Sequence, residues 1–222
     1  MFYRDSEHVY RARPLERFDW LVHGFGTRWS KNFGSCRNLA TLRQVHSNRT
    51  VNAQGRAGCL GEGDALLDNA PGILLAVRTA DCLPILLVDA RNRAVAAVHA
   101  GWRGTVNEIA RETIRALQEK FSTRVQDLHA AIGPGIGACC FEVGAEVSAQ
   151  FGFSHARSRT IDLAEVNRRQ LITEGLAPDQ IYSAALCTFC LAQDFHSYRR
   201  EKDVAGRMLS VVGVNASPST SP

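Results

Sequence analysis

The sequence of 222 residues lacks long apolar runs. Its apolar runs, such as residues 73–77 and 83–88, have the length of a β-strand and fall far short of the roughly 18 residues that suggest a membrane span. The start of the chain, from Met1 to Arg17, mixes charged and aromatic side chains and lacks the apolar core of a secretion signal. The composition, with 45% hydrophobic and 22% charged residues, is that of a soluble globular protein. These features predict a cytoplasmic protein with no membrane association.

Lysine is scarce, because only three of the 26 basic residues are lysine and the rest are arginine. The arginines are spread along the chain and form no clustered basic stripe of the kind that binds a phosphate backbone. The formal net charge is only +4. A nucleic-acid partner is therefore not expected.

Cysteine is present in an odd number, seven, and histidine in the same number. Without a secretion signal, an odd cysteine count argues against a disulfide framework and indicates free thiols or a metal site. Cys187 and Cys190 form a CxxC pair, but no second CxxC pair accompanies them, so a zinc ribbon is not supported. The proline and the upstream H-x-E motif of cytidine deaminases are also missing. Seven histidines are too few for a multicopper oxidase, which excludes tri-copper laccase chemistry.

The pattern of apolar residues predicts a mixture of strands and helices. Residues 1–60 read as irregular, whereas later apolar runs predict strands at 73–77, 83–88, 94–98, 128–132, 181–186 and 208–214. Two capping boxes, Thr105 with Glu108 and Asp162 with Glu165, predict helices that run to about Phe121 and Glu174. The neighbouring runs 83–88 and 94–98 predict a hairpin, and therefore a mixed rather than a parallel sheet.

No repeat or linker divides the chain. We therefore predict one α/β domain over residues 1–214, followed by a Ser/Pro-rich tail, 215–222, that is disordered.

Three residues with metal-binding side chains fall at the ends of predicted strands: His46, Cys82 and His99. Two imidazoles and one thiolate suit zinc, and three protein ligands leave a fourth position open, as in catalytic sites. The spacing alone also fits an inert buried thiol with two histidines satisfied in the core, and by itself it favours that second interpretation.

Several ordered motifs together resemble one known family. They are Gln44-Val45-His46, Gly63-Asp64-Ala65-Leu66, Thr79-Ala80-Asp81-Cys82-Leu83-Pro84, His99-Ala100-Gly101-Trp102-Arg103-Gly104, Gly133-Pro134 with Cys139-Cys140-Phe141-Glu142-Val143-Gly144, Cys187-Thr188, Ser197-Tyr198-Arg199-Arg200 and Gly206-Arg207-Met208. The chain is similar, over nearly its whole length, to the laccase-domain family, also called the polyphenol oxidase or YfiH-type family and now described as purine nucleoside phosphorylases.

The resemblance implies a single-domain α/β sandwich of mixed β-sheets flanked by helices. It also implies one zinc ion held by His46, Cys82 and His99, with copper as the other candidate metal. The implied reactions are phosphorolysis of adenosine, inosine, guanosine and 5′-methylthioadenosine, and deamination of adenosine. The partners would be small molecules, a purine nucleoside and phosphate, acting on a monomer or small homo-oligomer.

Further candidate residues follow from the chemistry of these reactions. Asp81 and Asp64 are candidates for proton transfer, although either could instead cap a turn. Arg28, Arg103 and Arg199 are candidates for holding phosphate, and each also has a surface or structural interpretation. Gln44 could contact the base or orient His46.

One departure from the family pattern concerns the segment 29–43, which is shorter here than in typical members. In the family that segment normally forms part of the wall of the site, so its shortening is expected to affect substrate preference. The zinc ligands lie outside it.

Three alternative functions stay open. Cys82 could be a nucleophile with His99 or His46 as its base, hydrolysing an amide such as a peptidoglycan precursor. The protein could be a polyphenol oxidase-type copper enzyme, or a binding module with a structural zinc. On all these interpretations the other six cysteines are mostly structural: Cys139, Cys140 and Cys187 belong to motifs, and Cys36, Cys59 and Cys190 have no assigned role.

Overall fold

The computed structural model describes residues 1–30, 33, 38–153 and 159–216. Within these ranges the strands are β1 (Phe2–Arg4), β2 (Tyr10–Ala12), β3 (Leu21–Phe25), β4 (Leu39–Arg43), β5 (Thr50–Asn52), β6 (Gly58–Glu62), β7 (Ala65–Asp68), β8 (Leu74–Thr79), β9 (Leu83–Asp89), β10 (Val95–Ala100), β11 (Leu128–Ile132), β12 (Glu142–Val143), β13 (Arg159–Thr160), β14 (Ile181–Ser183) and β15 (Met208–Val214). The α-helices are α1 (Trp102–Val106), α2 (Ile109–Phe121), α3 (Ala145–Gln150), α4 (Leu163–Thr173) and α5 (Tyr198–Glu201). Short 3-10 helices cover Arg13–Arg17, Val125–Asp127, Pro178–Gln180 and Lys202–Val204.

Two large mixed sheets form the body of the fold. The seven-stranded sheet has the order β1-β2-β3-β15-β8-β4-β6, and the six-stranded sheet has the order β14-β11-β9-β10-β7-β5. Most neighbours are antiparallel, but β4 is parallel to β6 and β8, β5 is parallel to β7, and β11 is parallel to β14. The predicted hairpin of β9 and β10 is present, so the mixed sheet is confirmed.

The six-stranded sheet is the middle layer, with the other sheet on one face and helices on the other. Along β9, Ile85 and Leu87 face the core shared with α2 and α4, whereas Leu86 and Val88 face the core shared with the seven-stranded sheet. Every residue of β9 is buried. A strand covered on both faces needs no polar alternation, which explains the continuous apolar run in the sequence. The predicted α/β sandwich flanked by helices is confirmed.

Of the two helix starts that the capping boxes predict, the one at Asp162 is confirmed and the one at Thr105 is wrong. The Asp162 side chain accepts a hydrogen bond from the Glu165 N–H at 2.9 Å, and α4 begins at the next residue, Leu163. Thr105, in contrast, lies inside α1, where its buried hydroxyl accepts from Asn167 Nδ2 at 2.9 Å. Glu108 has φ of 56° and separates α1 from α2 without a side-chain cap. The chain therefore forms two helices, α1 and α2, where the sequence pattern predicts a single helix that starts at Thr105.

The prediction of irregular structure over residues 1–60 is wrong, because six short strands begin there. The predicted strand 181–186 is shorter than expected and ends at Ser183, while the predicted strand 208–214 is confirmed as β15. Residues 217–222 of the predicted tail lie outside the described residues, so disorder there stays a prediction. No described helix has the length and apolar character needed to cross a bilayer.

Candidate metal centre

The side chains of His46, Cys82 and His99 come together at one edge of the fold. Cys82 directly precedes β9, and His99 lies near the end of the antiparallel neighbour β10, where it pairs with Pro84. The end of β10 thus meets the start of β9. His46 follows β4 of the other sheet, and one ligand atom from each of the three residues lies within 4.8 Å of the others. His46 is exposed, Cys82 is half-buried and His99 is buried, so the group opens to solvent on the His46 side.

Asp64 holds two of these residues in place. It is completely buried, and its Oδ1 lies 2.8 Å from His99 Nδ1 and accepts the backbone N–H of His46 at 3.0 Å. Its Oδ2 accepts the N–H and the hydroxyl of Ser47 at 2.6 and 2.7 Å. His46 itself has φ of 58°, a left-handed conformation that this cap on the 45–47 loop stabilises.

The hydrogen bonds of Asp64 also fix the tautomer of His99. Burial alone would raise the pKa of Asp64, but hydrogen bonds from His99 and Ser47 outweigh burial and lower the pKa to about 2. An ionised carboxylate can only accept hydrogen bonds, so Nδ1 of His99 carries the proton. Nε2 of His99 is then the nitrogen left for Cys82 and for a metal ion.

Without a metal, Cys82 and His99 share charge. Burial alone would raise the pKa of Cys82, but hydrogen bonds with His46 and His99 lower it to about 6. Burial alone would lower the pKa of His99, but hydrogen bonds with Asp64 and Cys82 raise it to about 9. Between these pH values the pair is a thiolate beside an imidazolium. Binding of a metal ion would displace one proton from the imidazolium.

The surroundings fit a bound ion. A Cβ atom at Gly101 would lie 2.8 Å from Cys82 Sγ and 3.0 Å from His46 Nδ1, so the glycine leaves open the space beside two of the donors. One sulfur and two imidazole nitrogens at this separation are a donor set for a tetrahedral zinc ion with its fourth position open.

Asp81, next to Cys82, ties the centre to a distant loop. Its Oδ1 accepts the hydroxyl of Thr188 at 2.7 Å, and its Oδ2 accepts Ser197 Oγ at 3.0 Å and the Arg199 N–H at 2.6 Å. It has φ of 84° and is buried. Both carboxylate oxygens are therefore engaged in holding the 188–199 segment against the start of β9.

The three candidate arginines differ in what they contact. Arg28 forms an ion pair with Glu201 at 2.8 Å, and it shares that single carboxylate with Arg200, which lies 2.7 Å from the same oxygen. Arg199 donates to the carbonyl of Glu142 at 2.9 Å. The guanidinium of Arg103 is exposed and lies 4.3 Å from the centre of the Trp102 ring. Among the described residues, neither Arg103 nor Arg199 makes an ion pair with a carboxylate.

Gln44 is held by backbone groups. Its Nε2 donates to the carbonyl of Arg78 and its Oε1 accepts the N–H of Arg78, both at 2.8 Å. This bidentate contact joins the end of β4 to β8 and positions the start of the loop that carries His46. Residues 31–32 and 34–37 of the short 29–43 segment lie outside the described residues, so its effect on substrate preference stays a prediction.

The other histidines with described contacts are used elsewhere. His23 accepts the Ala12 N–H, His129 contacts Arg17, and His196 contacts Glu201. Within the described ranges, the centre at His46, Cys82 and His99 is the one group of potential metal ligands that contains histidine. This centre therefore offers three protein ligands to one ion.

A second group of potential ligands was not anticipated from the sequence. Cys139, Cys140, Cys187 and Cys190 have their sulfurs within 4.8 Å of one another. The sequence signal is the adjacent pair Cys139-Cys140 together with the CxxC pair much later in the chain, a pattern that lacks the usual second CxxC.

Comparison with known proteins gives consistent matches over most of the chain. Residues 26–215 match the family model described as multi-copper polyphenol oxidoreductase laccase. A purine nucleoside phosphorylase of Deinococcus radiodurans is 40% identical over 185 residues, covering 80% of this chain and 70% of that protein. Adenosine deaminase RL5 from an unknown prokaryotic organism is 36% identical over 191 residues, covering 77% of this chain and 72% of that protein. The crystal structure of YlmD from Geobacillus stearothermophilus superposes with a TM-score of 0.89 at 25% identity, covering 97% and 99% of the two chains.

Proposed function

This chain belongs to the family described as multi-copper polyphenol oxidoreductase laccase, and from that premise we propose that it is a zinc-dependent purine nucleoside phosphorylase that also deaminates adenosine. The observation that carries the proposal is the His46, Cys82 and His99 donor set, with Asp64 fixing its geometry. The proposed substrates are adenosine, inosine, guanosine and 5′-methylthioadenosine, in keeping with relatives named purine nucleoside phosphorylase and adenosine deaminase. We place the enzyme in the cytoplasm, as a monomer or small homo-oligomer.

Zinc is preferred over copper on the chemistry of the ligands. A thiolate with two neutral imidazoles suits a tetrahedral ion without redox activity. The family description names several copper ions, but the ligands in the described ranges provide one site with histidine. When bound, the ion supplies a Lewis acid that stabilises developing negative charge.

In phosphorolysis, an oxygen of phosphate forms a bond to C1′ of the ribose while the bond from C1′ to N9 of the purine breaks. The electron pair of that bond moves to the purine, which takes up a proton as it leaves. Arg103 and Arg199 are the arginines proposed to hold the phosphate, because neither has a carboxylate partner in the described ranges. Arg28 is a weaker candidate, since its guanidinium already contacts Glu201, a carboxylate that it shares with Arg200.

Asp64 and Asp81 fit the role of positioning residues better than that of proton carriers. Asp64 is buried and its pKa of about 2 keeps it ionised, so it orients His99 and the His46 loop. Asp81 uses both carboxylate oxygens to hold the 188–199 segment beside Cys82. Gln44 is proposed to position the His46 loop through its contact with Arg78.

The test is to incubate the zinc-loaded protein with adenosine, with and without phosphate, and to separate the products. We expect adenine and ribose 1-phosphate only when phosphate is present, and inosine in both reactions. The His46→Ala variant should lose both activities together with the metal of the centre. If the zinc-loaded protein forms neither set of products, the proposed function is wrong.

A second candidate function rests on Cys82 standing between two imidazoles. The same geometry activates a cysteine nucleophile, with His46 or His99 as the base, for hydrolysis of an amide such as a peptidoglycan precursor. Chelation separates the two candidates: a zinc enzyme loses activity and recovers it with added zinc, whereas a cysteine hydrolase keeps its activity in chelator and is inactivated by thiol alkylation. A binding module with a structural zinc would bind nucleoside and form no product.

A further inference from the structure

The parallel pairing of β11 and β14 brings four cysteines together. Parallel neighbours send their following loops out from the same edge of a sheet. Cys139 and Cys140 lie in the turn after β11, and Cys187 and Cys190 lie in the loop after β14. The pairing continues past the strands, since Gly135 forms a parallel bridge with Cys187.

The spacing of the sulfurs matches that around one ion. All four Sγ atoms lie within 4.8 Å of one another, with Cys190 Sγ 3.7 Å from Cys139 Sγ and 3.3 Å from Cys140 Sγ. In a tetrahedral site with metal–sulfur bonds of about 2.3 Å, neighbouring sulfurs are about 3.8 Å apart. The two Cys190 distances lie within about half an ångström of this value, and the other sulfur pairs are no more than 4.8 Å apart.

The two loops hold the cysteines in place by hydrogen bonds of their own. The Gly137 N–H donates to Cys187 Sγ at 3.3 Å, as amides do to thiolate ligands, and Cys140 N–H donates to the Gly137 carbonyl at 2.9 Å. Arg200 donates to the carbonyls of Thr188 and Phe189, the two residues between Cys187 and Cys190, at 2.9 and 2.7 Å. The ligand geometry is therefore set by the backbone on both sides.

We propose that Cys139, Cys140, Cys187 and Cys190 form a second metal site, a closed tetrathiolate site for a single ion of the zinc type. Four protein ligands leave no open position, so the role is structural. The ion joins the loop after β11 to the loop after β14. Thr188, next to the ligand Cys187, binds Asp81, which precedes Cys82, so the second site stabilises the scaffold behind the first.

Two other uses of four cysteines fit the geometry less well. In a polynuclear iron–sulfur cluster the four thiolates bind two or more iron ions. Their sulfurs therefore lie farther apart than the sulfurs do here. A pair of disulfides requires each cysteine to have one partner, whereas Cys190 is close to both Cys139 and Cys140. Both uses are outcomes of the experiment.

The experiment measures bound metal and its sulfur ligands in the full chain, produced with zinc and purified without chelator under nitrogen. We expect about two zinc ions in the wild-type chain, about one in His46→Ala and about one in Cys190→Ser. Cys59→Ser, which removes an exposed cysteine outside the cluster, is the matched control and should keep both ions. X-ray absorption at the zinc edge should give about 2.5 sulfurs per ion in the wild type, about four in His46→Ala and about one in Cys190→Ser.

Loss of all metal from His46→Ala, or about one sulfur per ion in the wild type, would overturn the proposal. A mass lowered by the hydrogens of one or two disulfides within the cluster would also overturn it, as would inorganic sulfide with several irons per chain. If Cys190→Ser does not fold, the sulfur number in the wild type and in His46→Ala decides the question. None of these readouts depends on nucleoside turnover. Failure of the second metal site can therefore be distinguished from failure of the proposed activity.

Discussion

His99 Nδ1 lies 2.8 Å from Asp64 Oδ1 in a contact where both side chains are almost completely buried. The contact sets which imidazole nitrogen faces Cys82, and the same carboxylate caps the loop that carries His46. One buried group thus positions two of the three ligands, on two different sheets. The geometry of the centre therefore depends on this carboxylate.

Replacing Asp64 by Asn should weaken zinc binding at the centre by roughly 10- to 100-fold, as loss of a ligand's hydrogen-bonding partner does in other metal sites. The amide cannot accept from His99 and from the 46–47 backbone as strongly as the carboxylate does. Competition with a chromophoric chelator measures the affinity. Asp89→Asn is the control, because Asp89 is equally buried and caps a loop at the opposite end of β9. Equal losses in both variants would contradict the positioning role.

Zinc binding at the centre should release about one proton per ion near pH 7.5. Between about pH 6 and 9, Cys82 and His99 hold one proton more than they would as zinc ligands, because the pKa of Cys82 is lowered to about 6 and that of His99 is raised to about 9. Calorimetry in buffers of different ionisation enthalpy measures the release, and the Cys190→Ser variant keeps the four-cysteine cluster from contributing. Release of no proton would mean that the pair is not the thiolate–imidazolium described above.

Gly101→Ala should lower zinc affinity and activity by roughly 10- to 100-fold, which corresponds to the 1–3 kcal/mol typical of overpacking. The new Cβ would lie 2.8 Å from Cys82 Sγ, and the start of β9 leaves that sulfur little room to move. Gly144→Ala is the control, because a Cβ there has no atom within 4 Å and the residue likewise precedes a helix. Wild-type affinity in Gly101→Ala would show that the ion sits away from this glycine.

Arg103→Ala should raise the KM for phosphate in phosphorolysis by roughly 10- to 100-fold, since a hydrogen bond to a charged group contributes about 1.5–3 kcal/mol. Deamination of adenosine consumes no phosphate and should change little. Arg115→Ala, on the exposed face of α2, should affect neither reaction. Equal loss of both activities in Arg103→Ala would assign Arg103 to the nucleoside or to the fold instead.

The free energy of unfolding should decrease as pH falls from about 6.5 to 4, by about 3 kcal/mol from His23 alone. Burial and the neighbouring Arg11 cation lower the pKa of His23 to about 4, so over this window the unfolded chain takes up a proton that the folded chain rejects. Urea unfolding across the window measures the loss, which should be smaller in His23→Gln. His8→Gln, at an exposed histidine, should lose stability as the wild type does.

The parts of the fold that the sequence predicts correctly are those whose signal is local. Residues 83–88 and 208–214 are mostly apolar because strands in these positions are covered on both faces, and Asp162 caps α4 with its own side chain. The strands that begin within residues 1–60 are short, and β3 among them pairs with β15, which lies at the opposite end of the chain. No local pattern encodes such a partner.

The candidate site, like the fold, is predicted from the sequence only where the signal is local. His46, Cys82 and His99 can be proposed because each stands next to a strand end and a motif, yet only the pairing of β9 with β10 and the cap at Asp64 bring them together. Thr105 and Glu108 have the spacing of a capping box, but the threonine hydroxyl instead accepts a hydrogen bond from Asn167 on α4. Only the pairing of β11 with β14 shows that Cys139-Cys140 and Cys187-x-x-Cys190 lie close together in space.

The position of β15 has a consequence for synthesis of the chain in the cell. Its residues are made near the end of translation, yet it lies between β3 and β8 in the seven-stranded sheet. About 130 residues separate the end of β8 from the start of β15, which corresponds to roughly 6–26 s of elongation at 5–20 residues per second. During that delay β3 and β8 emerge from the ribosome with unpaired edges, which are templates for aggregation. The yield of folded protein therefore depends on how well these two edges are shielded from other nascent chains until residue 214 is free.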